Sequence, residues 1–158
     1  MKSKTTIEGN DLIITRHIAA SPEVIWDALT NPEKLKIWFA PRPWKITDIV
    51  LEPHPGGRFQ LTMVGPDGEG EGCDPNEGCV LLVEPNRRIA WTDALAGGFR
   101  PNAKPFMTAI ITLEPKDGGT QYTARALHSN GEDRQRHEEM GFAEGWGTCI
   151  EQLVEMVE

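Results

Sequence analysis

Asp93 and His128 are side chains of the types that move protons in enzymes. A carboxylate and an imidazole sharing one cavity can act as general acid and base. Each stands at the end of a run that reads as a strand, so any meeting between them depends on the fold and not on their spacing. Asp67, Glu69 and Glu71, followed by Gly72, begin like a calcium-binding loop. The twelfth position is Gly78 where such a loop needs glutamate, and no helices flank it, so a solvated hairpin tip is expected. Cys73 and Cys79 are six residues apart, wider than a zinc pair, and His54 and His137 have no partner at ligand spacing. No serine or cysteine sits in a nucleophile motif. The residues therefore assign no catalytic group, no metal and no cofactor.

The apolar residues are more informative. Phe59, Leu61 and Met63 alternate on one strand face, with Arg58, Gln60 and Thr62 on the other. Trp91 shares a face with Ile89 and Asp93, and Tyr122 shares one with Ala124, Ala126 and His128. Phe142 and Trp146 follow helical spacing. Together, Phe59, Leu61, Met63, Trp91, Asp93, Tyr122, His128, Phe142 and Trp146 are candidates to line an apolar pocket with a few polar groups, the usual make-up of a small-molecule site. The competing reading is that they simply fill the core, as most buried aromatics do.

These residues need elements to position them. Residues 1–10 are polar and are expected to be a flexible lead-in. Residues 11–18, rich in β-branched types, read as a strand. Ser21-Pro22 and Asn31-Pro32 are cap-plus-proline signals for two short helices, the first with a stripe of Val24, Ile25, Ala28 and Leu29. Strands are then expected over 45–51, 58–64, 79–83, 88–93, 106–113 and 121–128, the last two joined by a hairpin at Lys116-Asp117-Gly118-Gly119. Ser129 and Glu132 have capping-box spacing, and Phe142, Trp146, Cys149, Ile150, Leu153 and Val157 mark one long C-terminal helix. Gly141 and Gly145 lie on one face of that helix at a propensity cost. Either bulk is excluded there, by a close backbone or by a pocket, or the helix starts later. The order predicts an α+β architecture, a single domain over residues 11–158 with helices on one face of an antiparallel sheet.

Bulk properties narrow the partners. The chain has 158 residues and a net charge of −8. That charge argues against nucleic acid and against anionic membrane surfaces. No apolar run approaches the length of a membrane span. Met1-Lys2-Ser3-Lys4-Thr5 has no apolar segment behind it, so no signal peptide is expected and the default location is cytoplasmic. Three cysteines are expected as free thiols.

Several local sequences, in order, resemble the branch of the START-like (SRPBCC) superfamily formed by homologues of the activator of heat-shock-protein-90 ATPase. They are Ser21 through Glu33, Trp38-Phe39-Ala40-Pro41, Pro55-Gly56-Gly57-Arg58-Phe59, Gly65-Pro66-Asp67-Gly68, Gly78 through Pro85, Arg88 through Thr92, Gly118-Gly119-Thr120 and Gly145-Trp146. The resemblance implies a helix-grip fold, a curved antiparallel sheet wrapped around a long C-terminal helix with a cavity between them. It carries no universal catalytic motif. Three functions are then open: binding of a small apolar or amphipathic molecule without obligatory chemistry, which leads; an interaction module for a chaperone or other protein; and a cyclase- or hydrolase-like enzyme. Exposed sheet or helix surfaces also leave a homodimer open.

Overall fold

The computed structural model describes residues 2–66 and 76–158. The acidic run Asp67, Glu69 and Glu71, with Cys73, lies outside the described residues.

The two helix-start signals act as expected. Ser21 caps α1 (Pro22–Thr30), its hydroxyl accepting from the Val24 backbone N–H at 3.3 Å. Asn31 ends that helix and caps α2 (Pro32–Trp38), its side chain accepting from the Glu33 N–H. Ile25, Ala28 and Leu29 are buried, but Val24 is exposed and leaves the expected stripe. As an immediate chain neighbour of Ile25, it is turned about 100° away from it on a helix. The Trp38 indole N–H donates to the Ala28 carbonyl at 2.9 Å and ties the two helices together.

An eight-stranded antiparallel sheet follows the order β1-β2-β10-β9-β6-β5-β4-β3. Its strands are β1 (Lys4–Glu8), β2 (Asp11–Ile18), β3 (Lys45–Leu51), β4 (Arg58–Val64), β5 (Asn76–Glu84), β6 (Arg88–Thr92), β9 (Thr108–Lys116) and β10 (Gly119–Leu127). Between β6 and β9, β7 (Leu95–Ala96) and β8 (Arg100–Pro101) form a separate small hairpin around a 3₁₀ turn. β1 is a correction: residues expected to be a loose lead-in pair with β2 as an edge strand, from Lys4↔Thr15 to Glu8↔Asp11. Its side chains are all exposed, so its polar sequence suits an edge held by backbone hydrogen bonds.

β6 ends one residue before the expected 93, and β9 starts two residues after the expected 106 and runs on to Lys116; Asp93 accounts for the two inner ends. The Asp93 carboxylate accepts from the backbone N–H groups of Phe106 and Met107, at 2.8 and 3.0 Å, and takes both out of the ladder. The turn before β4 requires a glycine. A Cβ on Gly57 would lie 2.0 Å from the Glu52 carbonyl oxygen.

The expected single C-terminal helix is two helices, α3 (Gly131–Glu139) and α4 (Phe142–Val157). The cap of α3 is Asn130, whose side chain accepts from the Asp133 N–H at 2.8 Å, in place of the expected Ser129–Glu132 box. Gly141, at φ +95, breaks the run and stands at the start of α4. The later helix start is therefore correct for Gly141. Gly145 lies within α4, and a Cβ built there meets nothing within 4 Å, so close approach of the sheet backbone is not what holds this glycine.

α4 crosses the concave face of the sheet and buries Phe142, Ile150 and Leu153 in a core shared with Leu12, Ile14, Ile111, Leu113 and Ala124. Two polar ties fix it. Arg16 of β2 makes a two-pronged contact with Glu151, at 2.9 and 3.1 Å. The buried Gln152 amide donates to the carbonyls of Trp38 and Ala40 and accepts from the Arg42 N–H. Among the described residues, no helix is long and apolar enough to cross a membrane.

Candidate ligand cavity

A cavity of about 900 Å³ lies between the sheet and α4. β4 contributes Phe59, Leu61 and Met63, β6 contributes Trp91, and β10 contributes Tyr122. α4 contributes Phe142, Gly145, Trp146, Cys149 and Ile150. The alternation of β4 and the helical spacing of α4 thus turn these candidates to one common space.

Aromatic rings gather at two places on the wall. Phe59 and Trp91 have centroids 4.8 Å apart, and Phe39 lies 5.9 Å from each. Elsewhere His137 sits 4.8 Å from Phe106, 5.2 Å from Phe142 and 6.0 Å from Trp146.

The proton-transfer pair considered from sequence is not formed. Asp93 lines the cavity, yet one of its carboxylate oxygens is engaged by two backbone N–H groups. His128 is not on the wall. Its Nδ1 lies 2.8 Å from the Asn10 carbonyl and its Nε2 lies 2.8 Å from His137 Nδ1. The α3 helix packs against β2 and α4 and puts His137, not His128, at the cavity surface.

The tautomers follow from the partners. A carbonyl only accepts, so in the neutral ring His128 carries its proton on Nδ1 and offers Nε2 as a lone pair. His137 Nδ1–H must then donate to it, which leaves His137 Nε2 as a bare lone pair. Burial, and then the neighbouring His128, push the His137 pKa down to about 4, so this imidazole is neutral at pH 7. Burial also raises the Tyr122 phenol and lifts the Cys149 thiol to about 12, so neither is an anion or an activated nucleophile. Among the described residues, no group of three or more histidine, cysteine, aspartate or glutamate side chains is placed to hold a metal.

Sequence reasoning missed Phe39, Trp44, Phe106 and His137 as wall residues. The Trp38-Phe39-Ala40-Pro41 segment was a usable signal, being aromatic beside a helix end. His137 lies in a helix whose other side chains are mostly charged, and only the packing of α3 against β2 and α4 reveals it.

The family model for Activator of Hsp90 ATPase homolog 1-like protein matches residues 19–158. The chain belongs to this family. A crystal structure from Nitrosomonas europaea is similar at 45% identity and a TM-score of 0.88, covering 94% of this chain and 95% of that one. A structure from Rhodobacter sphaeroides is similar at 27% identity and a TM-score of 0.83, covering 99% and 97%. One from Mycobacterium smegmatis is similar at 26% identity and 0.79, covering 100% and 96%. A comparison with curated proteins gave no significant match. The activator-homologue family and its START-like, helix-grip architecture agree with the resemblance read from the sequence, including the sheet closed against a C-terminal helix.

Proposed function

We propose that this activator-homologue protein binds a small apolar or amphipathic molecule in the cavity between the sheet and α4, without obligatory chemistry. The observation that carries this reading is a cavity of about 900 Å³ walled mainly by aromatic and apolar side chains, with a few polar groups among them. Small-molecule sites have this size and composition. The absence of an Asp93–His128 contact, and a thiol and phenol held protonated, favour binding over catalysis. We read the chain, with the edge strand β1 included, as one START-like domain that works in the cytoplasm.

The test is titration with N-phenyl-1-naphthylamine, a neutral apolar fluorophore, while following tryptophan emission. Saturable micromolar binding that quenches Trp91 and Trp146 is expected, and native mass spectrometry of protein from its own host should show a co-purifying molecule. Absence of saturable binding by this probe, with no retained molecule, would overturn the reading.

Family membership supports a second reading, a module that engages a heat-shock-protein-90 type chaperone. Stimulation of that chaperone's ATPase by the purified protein, unaffected by filling the cavity, would favour it.

A further inference from the structure

We infer that the cavity ligand presents an uncharged hydrogen-bond donor, a hydroxyl group on an otherwise apolar body, to Nε2 of His137. This rests on the ligand-binding reading above and specifies what that ligand must carry.

His137 is 7% exposed and its ring forms part of the cavity wall. Its Nδ1 is committed to His128, which is anchored in turn on the Asn10 carbonyl. The described residues offer Nε2 no hydrogen-bond partner. A ring nitrogen that faces the cavity with no partner in the protein is open to one supplied by a ligand. The relay from Asn10 through His128 also fixes which partner is suitable: with both protons pointed backward, Nε2 can only accept. A hydroxyl satisfies it. A carboxylate brings only lone pairs and meets repulsion.

A cationic donor is disfavoured by desolvation. The Arg136 guanidinium stands 5.2 Å from the centroid of the Phe106 ring, and that same ring packs on His137. That guanidinium is paired with Asp133 and largely exposed, so what disfavours a cationic ligand is the cost of desolvating an ammonium in a wall made mainly of aromatic and apolar side chains. The rings of Phe106, Phe142 and Trp146 around His137 suit the flat or apolar body attached to the hydroxyl. Tyr122, 2% exposed, adds a hydroxyl to the same cavity, and the described residues leave it without a partner too. At this end of the cavity these two groups select by hydrogen bonding.

The experiment compares four probes of one size, 2-naphthol, 2-methylnaphthalene, 2-naphthoate and 2-naphthylmethylammonium, on the parent protein and on His137→Phe. The expected result is that the Kd ratio of 2-methylnaphthalene to 2-naphthol falls at least tenfold in His137→Phe, while 2-methylnaphthalene still binds. In the parent protein, ¹⁵N spectra of the histidine side chains should show His137 protonated at Nδ1, with the Nε2 resonance moving upfield as 2-naphthol saturates. That second readout decides the matter if His137→Phe does not fold. An unchanged ratio, or an Nε2 resonance unmoved at saturation, overturns the inference while leaving the pocket intact. Tighter binding of either ion than of 2-naphthol also overturns it. If neither neutral probe saturates, the ligand-binding reading itself fails and takes this one with it.

Discussion

The side-chain amide of Gln152 donates to the Ala40 carbonyl at 2.8 Å, joining α4 to the chain that leaves α2. Gln152 is 4% exposed, and its amide nitrogen and oxygen also serve the Trp38 carbonyl and the Arg42 N–H, both at 3.0 Å. It therefore closes three backbone groups in a place with little water, on the rim of the cavity formed by Trp38, Phe39 and Pro41.

Replacing Gln152 with leucine keeps the bulk and removes all three hydrogen bonds. Buried groups left unpaired cost about 1–3 kcal/mol each in full desolvation, partly relieved by relaxation. We expect a loss on the order of 2–3 kcal/mol in chemical denaturation. A variant as stable as the parent would show that the two carbonyls find water on their own.

Stability should depend on His137 as pH falls. Burial holds its folded-state pKa near 4, below the unfolded value of 6.5, so between those values the unfolded chain binds more protons. The neutral form contributes fully above pH 6.5, and its contribution is lost on acidification through about pH 4. The loss attributable to this one group is about 1.4 kcal/mol at one pH unit below the unfolded pKa. Urea denaturation at pH 7.5 and 5.5 (~2 units apart) should show a steeper decline in the parent than in His137→Phe. Equal declines would mean that His137 titrates normally in the folded protein.

Gly145 offers a test of the cavity that leaves the sheet alone. It lies inside α4, lines the cavity, and has open space where a Cβ would stand. Gly145→Ala should therefore gain about 0.5–1 kcal/mol from helix propensity. Gly145→Leu should fold while projecting bulk into the cavity, weakening N-phenyl-1-naphthylamine binding. Destabilisation by alanine would place a neighbour closer than the structure does.

Much of the architecture was legible in local chemistry. Ser21-Pro22 and Asn31-Pro32 start helices because a side-chain acceptor and a preset φ act within one turn. The span of β2 and the hairpin between β9 and β10 were likewise carried by neighbouring residues. The period-two pattern of β4 and the helical spacing from Phe142 to Ile150 were enough to nominate Phe59, Leu61, Met63, Phe142 and Trp146 as residues facing one space. Gly141 was ambiguous because its cost to a helix is visible in sequence, whereas its φ of +95 is not.

The sequence by itself determined which residue types and which strand and helix faces were available, since those depend on period and near-neighbour contacts. Only the tertiary structure decided which imidazole reaches the cavity. His128 and His137 are equally plain in the sequence, but the packing of α3 against β2 and α4 turns one ring into the other's anchor. Likewise, only the fold shows that Asp93 caps the backbone N–H groups of Phe106 and Met107 with one carboxylate oxygen. Such roles are set by unpaired donors and acceptors competing for partners across the fold, and that competition leaves no trace in local spacing.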